Sequence, residues 1–168
     1  MRLSKWVAVA AVALVATAGC SVHPGAAAVV DGRTITQEYT QDASEDLGLD
    51  AGRTLSLLIA APYYVEMAEN SGVGVSADDA RTAVHDGLLG EGTDPDVQLG
   101  DGAIEIVRLV LADQAVSPLP DGAQIRADTD ARISGLDMDI NPRYGEMDPA
   151  SGLIGQVPRP WIVVVPEA

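Results

Sequence analysis

Apolar residues through the middle of the chain recur mostly at helical spacing, with polar residues between them. Side chains that favour helix N-termini precede several of these segments, and glycine follows most of them. The pattern predicts five helices, over residues 37–47, 50–71, 77–89, 103–116 and 123–134. Because proline removes a backbone donor and clashes with the preceding turn, Pro62 predicts a kink or break in the second helix near Leu58–Pro62.

The two ends of this helical region show extended patterns instead. Residues 26–35 contain two short apolar runs around Asp31-Gly32, a dipeptide typical of tight hairpin turns. Residues 136–141 alternate apolar and polar side chains, which predicts a half-buried strand. The apolar run over residues 161–165 is a further strand candidate. We therefore predict a single mainly α domain over residues 26–168, with four to five helices and a small β element.

The first segment of the chain is typical of a targeting sequence. Trp6 to Ala16 is an uninterrupted apolar run of 11 residues that follows Arg2 and Lys5. It is shorter than the ~20 residues that a membrane-spanning helix needs, and it matches the hydrophobic region of a signal peptide. We predict that residues 1–19 form this signal peptide.

The end of this segment carries the lone cysteine of the chain. Thr17-Ala18-Gly19-Cys20 resembles the cleavage box of bacterial lipoproteins, in which the cysteine becomes the lipidated N-terminus. Residues 20–25 would then form the lipidated cysteine and its tether. Thr17 departs from the leucine expected at its position, and cleavage after Ala18 as in ordinary secretion is the alternative. A single cysteine also excludes an intramolecular disulfide and a cysteine-based zinc cluster.

The net charge of the chain argues against some classes of binding partner. The chain has 10 Lys and Arg against 25 Asp and Glu, a formal net charge of −15, and loss of residues 1–19 would leave −17. Nucleic acid is a poor partner for such a chain because phosphate binding needs clustered cations. The same charge repels anionic lipid heads, so we expect membrane contact through the lipid anchor only. Hydrophobic residues at 47% argue against a disordered acidic chain.

Candidate catalytic and metal chemistry is sparse. None of the common nucleophile, zinc or phosphate-binding motifs is present, and the two histidines are far apart in sequence. Asp137, Asp139, Asn141 and Asp148 have the spacing of a calcium loop, but Pro142 stands where that loop needs glycine. We therefore expect neither an enzyme, nor a metal site, nor a cofactor.

Three segments resemble known sequences in the same order. Residues 28–36 (AVVDGRTIT) are similar to an A-V-V-N-G-x-x-I-T opening, and residues 57–59 with 68–76 to an L-I-x…A-x-x-x-G-(I/V)-x-V-(S/T) segment. Residues 139–145 with Asp148-Pro149 are similar to a V-N-P-R-Y-G…D-P closing strand. These are features of the SurA-like N-terminal domain, a family of extracytoplasmic chaperone domains that includes lipoproteins.

The resemblance implies a fold and a role. In that family the opening strand, here about residues 27–35, pairs with a closing strand of a helical body, here about 136–141 or 161–165. The family binds unfolded or extended polypeptide outside the cytoplasm. Many members also carry a parvulin prolyl-isomerase domain, for which this chain leaves no room between its last helix and its closing strand. A residual prolyl isomerase is therefore the least favoured hypothesis.

The leading hypothesis is a chaperone-like lipoprotein that binds polypeptide clients without ATP, anchored to the cell membrane on its extracytoplasmic side, or secreted if Cys20 is not lipidated. We expect an apolar groove between the second and fourth helices, because Tyr and Met suit adaptable apolar contacts. Its candidate lining residues are Leu58, Tyr63, Met67, Val107 and Leu111. The alternative for these five is ordinary core. The alternative function is a structural or adaptor lipoprotein that binds one specific envelope protein.

Overall fold

The computed structural model describes residues 24–90, 94, 97–148 and 152–155. The predicted signal peptide, Cys20, most of the tether and the strand candidate at 161–165 lie outside these residues. The elements in chain order are β1 (Ala26–Val30), β2 (Arg33–Thr36), α1 (Gln37–Leu47), α2 (Ala51–Asn70), α3 (Ala77–His85), α4 (Asp101–Val116), α5 (Gly122–Ser134), β3 (Met138–Ile140), β4 (Glu146–Asp148) and β5 (Leu153–Gly155).

The described chain is mainly helical with two small antiparallel sheets, which confirms the predicted fold class. Helix ends follow local chemistry. The Thr36 hydroxyl accepts a hydrogen bond from the Tyr39 amide at the start of α1, and Gly48 ends that helix in the left-handed conformation at φ 61°. Helix α3 begins with the predicted capping box of Ser76 and Asp79 but ends at His85, before the predicted Leu89.

The first strand holds the two ends of the domain together. β1 is central in the order β2-β1-β3, and its antiparallel register with β3 places Ala28 opposite Ile140. At one end of this pair the Asp31 amide donates to the Asp137 carbonyl over 2.9 Å. At the other end the Asn141 side-chain amide donates to the Ala26 carbonyl over 3.1 Å. The predicted pairing of the opening strand with a strand near residue 140 is therefore confirmed.

A second hairpin, β4–β5, lies in a Pro- and Gly-rich stretch for which the sequence pattern predicted no strand. Ile154 inserts into the core at 6% exposure, and its amide donates to the Ser56 hydroxyl over 2.8 Å. A side chain on Gly52 would meet the Ile154 carbonyl at 3.0 Å, so the close approach of β5 to α2 depends on that glycine. Unlike β3, which lies within six alternating residues, β4 and β5 have three residues each and no longer alternation around them that would predict a strand.

Helix α2 runs from Ala51 to Asn70 without interruption, so the predicted break at Pro62 is wrong. Proline cannot donate to the carbonyl four residues earlier, which is that of Leu58. The Arg33 guanidinium on β2 donates to the Leu58 carbonyl over 3.2 Å. A distant cation thus supplies the hydrogen bond that Pro62 cannot make.

Three apolar clusters can be distinguished in the core of the described residues. The largest joins β1 and β2 to α1, α2, α4 and β5 through Leu55, Leu58 and Ile59. The second joins the C-terminal part of α2 to α4, and the third joins α3 to α4. Helix α4 contributes to all three clusters. Ile106 is buried in the largest cluster and Ile104 and Val107 in the third, so more than one face of α4 is covered.

Candidate functional site

The five predicted groove residues do not share one open cleft. Leu58 is fully buried in the largest core cluster, Val107 is 2% exposed in the cluster with α3, and Met67 is 5% exposed in the cluster between α2 and α4. Tyr63 and Leu111 are half-buried. The contact between α2 and α4 is the most extensive helix pair of the described chain, and it is packed where we expected a groove.

An open recess lies instead between the C-terminal part of α2 and α5. Its volume is about 590 Å³. Tyr63 and Met67 of the predicted set contribute to it, whereas Leu58, Val107 and Leu111 do not. We call this recess the α2–α5 groove, and the residues that line it are Tyr63, Met67, Asn70, Ser71, Leu119, Asp121, Ile125, Asp128, Thr129 and Arg132.

The groove exists because α5 covers α2 incompletely. Only Gly122 and Ile133 of α5 are buried, so the helix has few side chains with which to fill the space beneath it. Gly122 brings the start of α5 against the end of α4: a side chain there would meet the Val116 carbonyl at 2.2 Å. The composition of α5 fits this incomplete cover, since its large apolar side chains are Ile125 and Ile133.

The apolar and polar parts of the groove are separate. Met67 packs in the cluster between α2 and α4, and half-buried Leu119 and Ile125 pack against the same cluster, so these three form an apolar floor. Asp121 and Asp128 are exposed at the α5 side. Our sequence reasoning missed Leu119 and Ile125 as lining residues because they come from the α4–α5 connection and α5, beyond the helix pair that we had selected.

A cation lies over the aromatic ring of the groove. The Arg132 guanidinium is 4.9 Å from the centre of the Tyr63 ring, and it also donates to Glu66 over 2.9 Å. Both charged side chains are about half exposed. An aromatic face and a carboxylate therefore converge on one cation at the edge of the groove.

The next residue, Tyr64, points to the other side of α5. Its hydroxyl donates to the Asp130 carboxylate over 2.7 Å. Burial, and then this hydrogen bond, raise the pKa of Tyr64 well above its usual value. Tyr64 lines a smaller recess of about 340 Å³ between α2, α5 and β5. The adjacent tyrosines therefore contribute to two separate recesses flanking α5.

A third recess lies at the other end of the molecule. It has a volume of about 530 Å³ and is formed by α1, the start of α2 and β5. Its lining combines polar and charged side chains, among them Gln41, Glu45, Asp50 and Arg143, with the apolar side chains of Tyr144 and Ile154.

The described part of the chain contains no cluster of three or more His, Cys, Asp or Glu side chains arranged to hold a metal ion. Among the same residues, no helix is both long and apolar enough to cross a bilayer. The sequence matches no known family model and no curated protein, and the fold matches no solved structure.

Proposed function

We propose that this protein is a membrane-tethered, extracytoplasmic lipoprotein with chaperone-like binding of extended polypeptide. The observation that carries the proposal is the open α2–α5 groove, with its floor of Met67, Leu119 and Ile125 and an aromatic ring, Tyr63, at its side. The signal-like segment and Cys20 support the extracytoplasmic location and the lipid anchor.

The proposal includes membership of the SurA-like N-terminal domain family, in a form without a parvulin isomerase. Support comes from the pairing of β1 with β3, which is the arrangement that the resemblance implies. The N-P-R-Y-G segment also has a structural part in this pairing. Asn141 donates to the Ala26 and Ala27 carbonyls through its side chain and its backbone, and so extends the contact beyond β3.

Binding in the groove would be passive. A client would bury two or three apolar side chains on the floor, each worth about 1.5–3 kcal/mol before the entropy lost on association is subtracted. The net affinity would be weak and reversible, which suits transient protection of an unfolded chain and requires no nucleotide. Because the groove is open to solvent, an extended chain could enter from the side without threading.

Aggregation of a denatured client tests this proposal. The mature protein should suppress light scattering at a near-stoichiometric ratio, and Tyr63→Ala combined with Leu119→Ser should reduce that suppression. Val110→Ser is the matched control, since Val110 is 36% exposed on α4 and does not line the groove. Thermal unfolding would show that each variant remains folded. No suppression by the wild type at large excess would refute the chaperone proposal.

A second candidate function is an adaptor that binds one folded envelope protein. The burial of Leu58, Met67 and Val107 favours it, because a packed α2–α4 interface leaves less apolar surface than a general chaperone needs. Crosslinking in the producing cell distinguishes the two candidates. Many unrelated partners captured at Tyr63 would indicate a chaperone, and one dominant partner would indicate an adaptor.

The anchor is tested separately by the intact mass of the protein extracted from membranes. The expected mass is that of residues 20–168 with acyl chains on Cys20. A mass that begins at Gly19 and carries no lipid would show ordinary secretion instead.

A further inference from the structure

We propose that the α2–α5 groove selects extended polypeptides that carry Lys or Arg beside their apolar residues. This inference rests on the proposed function and adds the chemical class of the client. It is carried by the combination of an apolar floor, an acidic edge and a cation already seated on the groove's aromatic ring.

The edge of the groove is acidic. Asp121, which directly precedes α5, and Asp128 within α5 line it, and both are exposed to solvent. The side chain of Asp121 makes no capping hydrogen bond at the start of α5, and Asp128 accepts one from Gln124 over 2.7 Å. Neither carboxylate has a cation among its described contacts, so their charge faces any chain that lies on the floor.

Among the described residues that line the groove, Arg132 is the one cation, and its charge is already balanced. Its guanidinium donates to Glu66 over 2.9 Å while lying above the Tyr63 ring. A Tyr face beside a carboxylate is the chemistry that binds a guanidinium or ammonium group. Arg132 therefore shows, within the protein itself, how a client cation would bind here, and it competes for the same position.

The rest of the molecule reinforces this preference at longer range. The formal net charge of −15 gives the protein a negative field that attracts cationic chains and repels anionic ones. Such fields act mainly on the rate of association and on specificity, and salt screens them. The groove supplies the apolar contacts, and the charge decides which apolar chains approach.

Three labelled peptides with one apolar core test the selection. The core is flanked by two Lys, two Ser or two Glu on each side, and binding to the mature protein is measured by fluorescence anisotropy. At low salt we expect the Lys peptide to bind roughly three- to thirty-fold more tightly than the Glu peptide, as several exposed charge pairs would give. The preference should shrink toward unity at about 1 M salt, where the screening length is only ~3 Å.

Two charge variants assign the preference to the groove. Asp128→Asn should weaken binding of the Lys peptide by roughly two- to five-fold. Asp42→Asn, which makes the same change on the exposed face of α1, should have little effect on that binding. Arg132→Ala should strengthen binding of the Lys peptide by roughly two- to ten-fold, because it removes the competing cation and frees Glu66. Its control is Arg81→Ala, which breaks an exposed pair with Asp78 on α3 and makes the same change in net charge.

The outcomes separate this inference from the proposed function. Equal binding of the three peptides at every salt concentration would overturn the charge selection and leave polypeptide binding intact. Tighter binding of the Glu peptide, or equal effects of groove and control variants, would also overturn it. If none of the three peptides binds, polypeptide binding at this groove and the charge selection both fail.

Discussion

The two halves of helix α2 have different surroundings although they belong to one continuous element. In the first half, Ala51–Ala61, Leu55, Leu58 and Ile59 are fully buried against β1, β2, α1, α4 and β5. In the second half, Pro62–Asn70, Met67 and Ala68 are buried in a smaller cluster, and Tyr63 borders an open groove.

The difference lies in what covers each half. Strands from both ends of the chain enclose the first half, and β5 is fixed there by the hydrogen bond between Ile154 and Ser56. Among the described helices, α5 covers the outer side of the second half, and it buries two of its residues there. The first half therefore stabilises the domain, whereas the second leaves apolar surface accessible for the binding that we propose.

The largest effect should come from deleting a side chain in the first half. Leu58→Ala should lower the free energy of unfolding by about 2–5 kcal/mol, because the site is fully buried and enclosed by several elements. Leu119→Ala, at the half-buried floor of the groove, should cost about 1 kcal/mol or less. Chemical denaturation measures both, and equal losses would contradict the distinction between the halves.

A smaller loss of stability is expected when β5 is detached from the first half of α2. Ser56→Ala should cost about 1–3 kcal/mol, because it leaves the Ile154 amide without a partner in a buried position. Hydrogen exchange at the Ile154 amide should accelerate by more than the change in global stability explains. Ser134→Ala is the control: its exposed hydroxyl donates to the Asp130 carbonyl within α5, and the change should alter stability by about 0.5 kcal/mol or less.

The hydrogen bond from Arg33 to the Leu58 carbonyl lies where the two halves of α2 meet, and a pair of substitutions tests its role. Arg33→Met should cost about 1 kcal/mol in the wild type, because the Leu58 carbonyl loses its donor. In a Pro62→Ala background the alanine amide can donate to the Leu58 carbonyl, so Arg33→Met should lower the stability much less. A double-mutant cycle with no interaction energy between the two sites would show that Arg33 does not compensate for the proline.

The smallest effect concerns the attachment of α5 to the second half. Tyr64→Phe should cost about 0.5–1 kcal/mol at neutral pH, because it removes the hydrogen bond to Asp130. The pKa of Tyr64 is raised in the folded protein, so its contribution is fully present below the unfolded value of about 10. That contribution should be lost as the pH rises further, because a phenolate would lie beside the Asp130 carboxylate.

The expected loss of this contribution at high pH is checked by measuring the free energy of unfolding from pH 8 upward, with tyrosinate absorbance as a second signal. The stability difference between wild type and Tyr64→Phe should shrink above about pH 10. Tyr39→Phe should behave similarly, since burial and a hydrogen bond to Glu105 raise the pKa of Tyr39 in the same way. A difference that grows with pH would contradict the assigned contacts.

Elements whose ends depend on nearby residues were predictable from sequence. Thr36 and Gly48 bound α1, and Ser76 with Asp79 begins α3, because capping hydrogen bonds join residues only a few positions apart. The hairpin turn at Asp31-Gly32 follows the same rule: both residues have positive φ, of 47° and 80°. The pairing of β1 with β3 was expected from the family resemblance, not from any local pattern.

The candidate site was predicted only in part. Tyr63 and Met67 were chosen from their residue types and do line the groove, but Leu58, Val107 and Leu111 do not. Helical periodicity shows which face of a helix is apolar, and it does not show whether another element covers that face. The α2–α4 interface is filled because the two helices cover each other, whereas the α2–α5 groove is open because α5 covers α2 incompletely.

The amino-acid order alone determined the class of the fold, most helix ends, the acidic charge and the signal-like segment, because each depends on composition or on neighbours in the chain. Tertiary structure decided the continuity of α2 across Pro62, the place of the β4–β5 hairpin and the position of the groove. Each of these depends on residues far apart in sequence, such as Arg33 with Leu58 or Ser56 with Ile154. Their contact is set by how the elements pack and by which surfaces that packing leaves uncovered.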